Sequence, residues 1–163
     1  MKSITLFHRK VLRGFLKLSK SSLVPPLYFL LGELPIEARL HIDLLTLFHN
    51  VITNKHTKLY QVVQHILMVS EEKSTTWAIH IRLLSHLYEL PDPLVLIQYN
   101  PLRKDHWISY IVTKITAYHE RSLREKAANN TSLSYLNVGL QGLSGKPHPA
   151  LQGISETREA VKF

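Results

Sequence analysis

This chain of 163 residues predicts an all-α fold, an irregular bundle of five or six helices with a loop-rich C-terminal tail. Three observations predict it. Apolar residues recur at three- and four-residue steps through most of the chain. Proline, glycine and small polar residues fall between those runs, where helices start and stop. Four of the six glycines then crowd between Gly139 and Gly153, beside Pro147 and Pro149, where the helical pattern has ended.

The first helix places Ile4, Phe7, Val11, Phe15 and Leu18 on one stripe, expected to face the core, and Arg9, Arg13 and Lys17 on a ridge facing away. Ser21 and Ser22 break it. Pro25-Pro26 suits the first turn of a short helix, and Gly32 suits the left-handed residue that ends one. A third helix opens at Pro35, with Ile36, Leu40, Leu44, Leu47, Phe48 and Val51 as its apolar set. A fourth covers 58–69 through Val62, Val63, Ile66 and Leu67, although its β-branched residues leave a strand open. Ser74 offers the N-cap of a fifth, with Trp77, Ile81, Leu84 and Tyr88 buried, until Pro91 and Pro93 stop it. Asn100-Pro101 opens the longest helix, whose inner stripe is Trp107, Ile111, Ile115 and Tyr118. Residues 1–137 therefore read as a helical domain with a basic N-terminal helix. Residues 138–163 read as a Gly/Pro-rich tail with a truncated helix, adding little apolar area to the core.

A chain this long buries roughly 70% of the surface its unfolded form exposes, so its core needs no staple. It has no cysteine, which removes thiolate metal sites and thiol catalysis and suits an intracellular compartment, nucleus or cytoplasm. Lysine and arginine number 20 against 12 acids, a net charge of +8. The first 32 residues hold Lys2, Arg9, Lys10, Arg13, Lys17 and Lys20 and no acid, whereas residues 33–100 are net acidic. Transit peptides, interfacial helices and nucleic-acid arms share such a bias, so mitochondrial targeting stands as an alternative. No membrane partner is expected. The longest apolar run, Leu23 to Leu31, is far short of the roughly 20 residues a span requires.

Motifs for chemistry are mostly missing. Two-metal catalysis needs clustered carboxylates, and the three aspartates, Asp43, Asp92 and Asp105, fall on separate elements. Gly142 to Pro147 fails as a phosphate loop because Pro147 stands where Ser or Thr must follow the lysine. The ten histidines lack the four-residue pairing of a helical metal site, and His41, His49, His65, His80 and His86 read as helix flanks. No catalytic residue, metal, cofactor or small-molecule substrate is expected. Trp77 and Trp107 fit core packing better than base stacking. The residues best placed to meet a phosphate backbone are Arg9, Lys10, Arg13, Lys17 and Lys20, with Arg103 and Lys104 from the second basic region.

Two further stretches, His8-Arg-Lys-Val-Leu-Arg13 and Pro26-Leu-Tyr-Phe-Leu-Leu-Gly-Glu-Leu-Pro-Ile-Glu-Ala-Arg-Leu-His41, are followed in order by others. These are Tyr88-Glu-Leu-Pro-Asp-Pro93, Trp107, Ser132-Leu-Ser-Tyr-Leu-Asn137 and Lys146-Pro-His-Pro149. The set resembles the C-terminal segment that follows the reverse transcriptase domain in non-LTR (LINE-type) retrotransposon polyproteins of invertebrates. It departs from that pattern at Leu18-Ser19, where the family usually has Leu-Pro, and at Ala150-Leu151, where an aromatic often follows His-Pro. The polymerase and endonuclease domains of such polyproteins are not among these residues, so the resemblance implies a non-catalytic, retroelement-derived helical fragment. The expected activity is weak, sequence-independent binding of RNA or DNA through the basic helices. The alternatives are a protein-interaction or self-association module, meeting a reverse transcriptase domain or a second copy, and a remnant with no selected function.

Overall fold

The computed structural model describes residues 2–69, 76–99 and 101–129, together with 142, 143, 145, 146, 148 and 151. Among them the fold is all-α, with seven helices and no strand: α1 (Lys2–Phe15), α2 (Val24–Leu31), α3 (Ile36–Thr53), α4 (Lys58–Val69), α5 (Trp77–Leu87), α6 (Pro93–Gln98) and α7 (Lys104–Ala128). The expected boundary at 137/138, the truncated helix near the C-terminus and Ser74 lie outside the described residues. Two compact units are present, one of Met1–Ala38 with Tyr118–Phe163 and one of Arg39–Ala117. The division falls inside α3 and α7.

In the continuous unit, α4, α5 and α6 pack on one another. Of the stripes read for α5 and α7, Ile81, Leu84 and Tyr88, and Trp107, Ile111 and Ile115, are buried, whereas Trp77 is half-buried and Tyr118 lies outside at 37% exposed. The alternative of a strand at 58–69 is resolved as helix, capped where the Tyr60 N–H donates to the Thr57 hydroxyl at 3.2 Å. Its C-terminal end is held by Arg82, whose guanidinium donates to the Leu67 carbonyl. Thr76, rather than Ser74, stands at the N-cap position of α5.

Two further details differ from the sequence expectation. In α3 the buried face runs through Leu45, Phe48, His49, Val51 and Ile52, while Leu47 lies outside at 51% exposed. A histidine can sit on this face because its Nε2–H donates to the Leu102 carbonyl at 2.7 Å and its ring stacks on Trp107, with centroids 5.8 Å apart. His49 is therefore a core residue, not a helix flank. The second difference is α6, which begins where proline was read only as a stop. Asp92 accepts from the Leu94 N–H at 2.7 Å and Pro93 fills the first turn, a start signal as complete as any in the chain.

In the other unit α2 is the centre. Leu27, Tyr28, Phe29 and Leu31 are all buried, and Tyr28 and Phe29 cluster with Leu123 and Leu143. Arg124 lies over the Phe29 ring at 5.2 Å and pairs with Glu120 one turn earlier at 2.8 Å. As expected, Gly32 ends α2 in the left-handed conformation, with φ of 63°. The expectation that the tail adds little is corrected here. Leu143 is a core residue, the Gly145 N–H donates to the Gly32 carbonyl at 2.9 Å, and the His148 N–H donates to the Leu30 carbonyl at 2.8 Å. These bonds occupy carbonyls that the end of α2 leaves without helical donors. A Cβ on Gly32 would lie 2.1 Å from the Lys146 carbonyl oxygen, so the position admits only glycine.

Candidate functional site

The first helix is oriented opposite to the sequence expectation. Ile4, Phe7, Val11, Phe15 and Leu18 are between 42% and 67% exposed, and Leu6 is exposed beside them. The side turned toward α2 carries Thr5, which is buried, and His8, Arg9, Leu12, Arg13 and Leu16, which are half-buried.

The cause is that these polar groups find partners. The Thr5 hydroxyl donates to Glu37 Oε1 at 2.5 Å. Arg13 donates to the Ser22 carbonyl twice, from Nε at 3.1 Å and from a terminal nitrogen at 2.7 Å. The His8 ring stacks on Tyr28 with centroids 6.0 Å apart. Burial pushes the Tyr28 phenol above its ordinary value of 10.0, a rise reinforced by Glu37 and opposed by the guanidinium of Arg9 beside it and by Arg13. For Glu37 burial acts upward as well, but the Thr5 hydroxyl, its own backbone N–H and the charges of Arg9 and His119 outweigh it. They hold the carboxyl below its ordinary 4.5.

The helix ends in a Schellman motif: the Leu18 N–H donates to the Arg13 carbonyl at 2.9 Å and the Lys17 N–H to the Gly14 carbonyl at 3.1 Å. Lys17 therefore occupies the left-handed position, with φ of 52°. Glu89 does the same after α5, with φ of 53°.

The seven residues expected to meet nucleic acid are found in different settings. Arg9 and Arg13 belong to the packed side of α1. Lys10, Lys17 and Lys20 are exposed. Lys10 stands on α1 three positions after Phe7, and Lys17 lies just past the helix end in its left-handed turn. Arg103 and Lys104 are exposed in the other compact unit, where Arg103 lies 3.6 Å from Asp105. Among the described residues no three histidines or acids gather as metal ligands, and no helix is long and apolar enough to cross a membrane.

Thr5 and Glu37 were missed in the sequence. A weaker stripe, Thr5, Leu12 and Leu16, has the spacing to face inward, and Glu33 and Glu37 are the first acids the basic helix can meet. No family model, curated protein or solved structure matches this chain.

Proposed function

We propose that this chain is a non-catalytic helical module of retroelement origin that acts by docking the outer face of α1 on a protein partner. One observation carries the reading: four apolar side chains, Ile4, Phe7, Val11 and Phe15, stand in one exposed row on a helix whose other side is pinned by Thr5 and Arg13, with Leu18 exposed just past the helix end. Completing their burial is worth roughly 1 kcal/mol each before the costs of association. Lys10 borders the row and Lys17 stands at the turn that ends the helix, so the complementary partner is an apolar groove with an acidic rim, and like charge disfavours a second copy. The resemblance to retrotransposon polyproteins supports a reverse transcriptase domain as that partner.

The test is titration of a purified reverse transcriptase domain of that family with the full chain, and with a chain carrying Phe7→Ser and Phe15→Ser. Saturable binding lost in the double variant, with circular dichroism unchanged, is the expected result. Equal binding by both chains, self-association of the parent alone, or preference for anionic vesicles would overturn it.

Nucleic-acid binding is the second reading, supported by the exposed Lys10, Lys17 and Lys20 in a region without acids. Three phosphate contacts on a duplex give a log–log salt slope of about −3, rather than the steeper slope that Arg9 and Arg13 would add.

A further inference from the structure

Behind the packed side of α1, within the same compact unit, lies a cavity of about 350 Å³. That is within the range of small-molecule pockets. Its polar lining is Arg9, His119, Lys126, Tyr28, Ser122 and Glu37, and Val24 and Leu123 supply apolar wall. Three polar atoms here are buried with no group among the described residues in hydrogen-bond geometry: Arg9 Nε, the Tyr28 hydroxyl and Glu37 Oε2. Tyr28 is only 1% exposed and its ring is fixed by core packing, so its hydroxyl is held at the cavity with the Arg9 guanidinium beside it. Buried polar groups are otherwise almost always paired, and three at one cavity mark a place shaped for polar contacts.

The donors and acceptors define the ligand. The Arg9 guanidinium, the Lys126 ammonium and the Tyr28 and Ser122 hydroxyls all donate, which suits an anion with several acceptor oxygens. Glu37 Oε2 accepts only. A bare anion would face that carboxylate, whereas an anion whose organic body carries a hydroxyl can satisfy it. We infer that this cavity binds a small phosphomonoester whose sugar-like part donates to Glu37. Arg9 and Lys126 hold the phosphoryl oxygens, with Tyr28 and Ser122 completing the set. The same chemistry occurs in a free sugar phosphate and in the 5′-phosphate end of a nucleic acid. The site shares Arg9 with α1 but is independent of docking on the outer face.

Calorimetry on the full chain tests it, using ribose 5-phosphate, inorganic phosphate and ribose as probes. Ribose 5-phosphate should bind more tightly than inorganic phosphate, and ribose should not bind. Lys126→Gln, at an exposed helix position that folding does not need, should weaken ribose 5-phosphate about tenfold by removing a charged donor. Tyr28→Phe should weaken it several-fold, and Glu37→Gln should narrow the gap between ribose 5-phosphate and inorganic phosphate. A 5′-phosphorylated RNA hexamer that binds more tightly than its 5′-hydroxyl twin assigns the nucleic-acid end as the source. No difference between the hexamers, with ribose 5-phosphate still bound, assigns the free sugar phosphate. Absence of binding by both ribose 5-phosphate and the phosphorylated hexamer, or binding unchanged in Lys126→Gln, overturns the inference.

Discussion

The first and fifth helices carry apolar stripes of similar regularity, yet they bury opposite sides of themselves. In α5, Ile81, Leu84 and Tyr88 are no more than 3% exposed. In α1 the corresponding row is half in solvent, and a threonine and two arginines face the neighbouring helix. Periodicity locates the two faces of a helix but not their destinations. The destination follows from what each face can pair with. Hydrogen bonds to charged groups contribute about 1.5–3 kcal/mol each, and α1 makes such bonds through Thr5 to Glu37 and through Arg13 to a carbonyl. Against several of these, the further burial of a few half-exposed aliphatic and aromatic groups is a comparable quantity, and Leu12 and Leu16 already give the packed side some apolar contact.

Paired substitutions sharpen this comparison most directly. Ile81→Ala, at a position with no exposure, should cost about 2–5 kcal/mol in urea unfolding. Phe15→Ser, a larger chemical change, should stay within about 0.5 kcal/mol, because an exposed site leaves no cavity. A large loss from Phe15→Ser would show that the outer row is packed in solution.

Removing a pin of the inner side comes next. Thr5→Val keeps the volume but deletes the hydroxyl that Glu37 accepts, and should cost about 1–3 kcal/mol at neutral pH. It should also alter the acid limb. Because the folded-state pKa of Glu37 is lowered, its contribution is complete above the ordinary carboxylate value of 4.5 and is lost as pH falls through the folded value. The variant should therefore lose less stability than the parent on acidification below about pH 4.5. An identical acid limb in both chains would break the assignment.

The smallest effects belong to the helix ends. Lys17→Gly and Glu89→Gly each relieve a left-handed residue with a Cβ, and each should raise stability by about 1 kcal/mol. The two changes should add, since they lie at the ends of different helices in different units.

Much of the helical layout was legible because its signals are local. Pro25-Pro26 and Gly32 bracket α2 by backbone geometry alone, and the apolar stripes of α5 and α7 are dense enough to bury their face even with Ser85 among them. The α3 register was shifted because His49 counts as polar until the Leu102 carbonyl is brought to it from 53 residues away. The packing of α1 was illegible for the same reason: Glu37 and the Ser22 carbonyl become partners only after the chain has turned back. Lys10, Lys17 and Lys20 could be read as exposed cations, whereas Arg9 and Arg13 carry the same charge and could not be told from them.

The contacts of Gly32 with residues 145 and 146 set an order on synthesis. Residues 39–117 are contiguous and can condense as they leave the ribosome, while α1 and α2 emerge first and must wait for Leu123 and Leu143. At common elongation rates the interval is on the order of ten seconds. During that time α2, apolar on nearly every side, and the outer row of α1 are both uncovered. The α1–α2 segment is thus the part that a nascent-chain chaperone would hold longest, although it is made before residues 39–117.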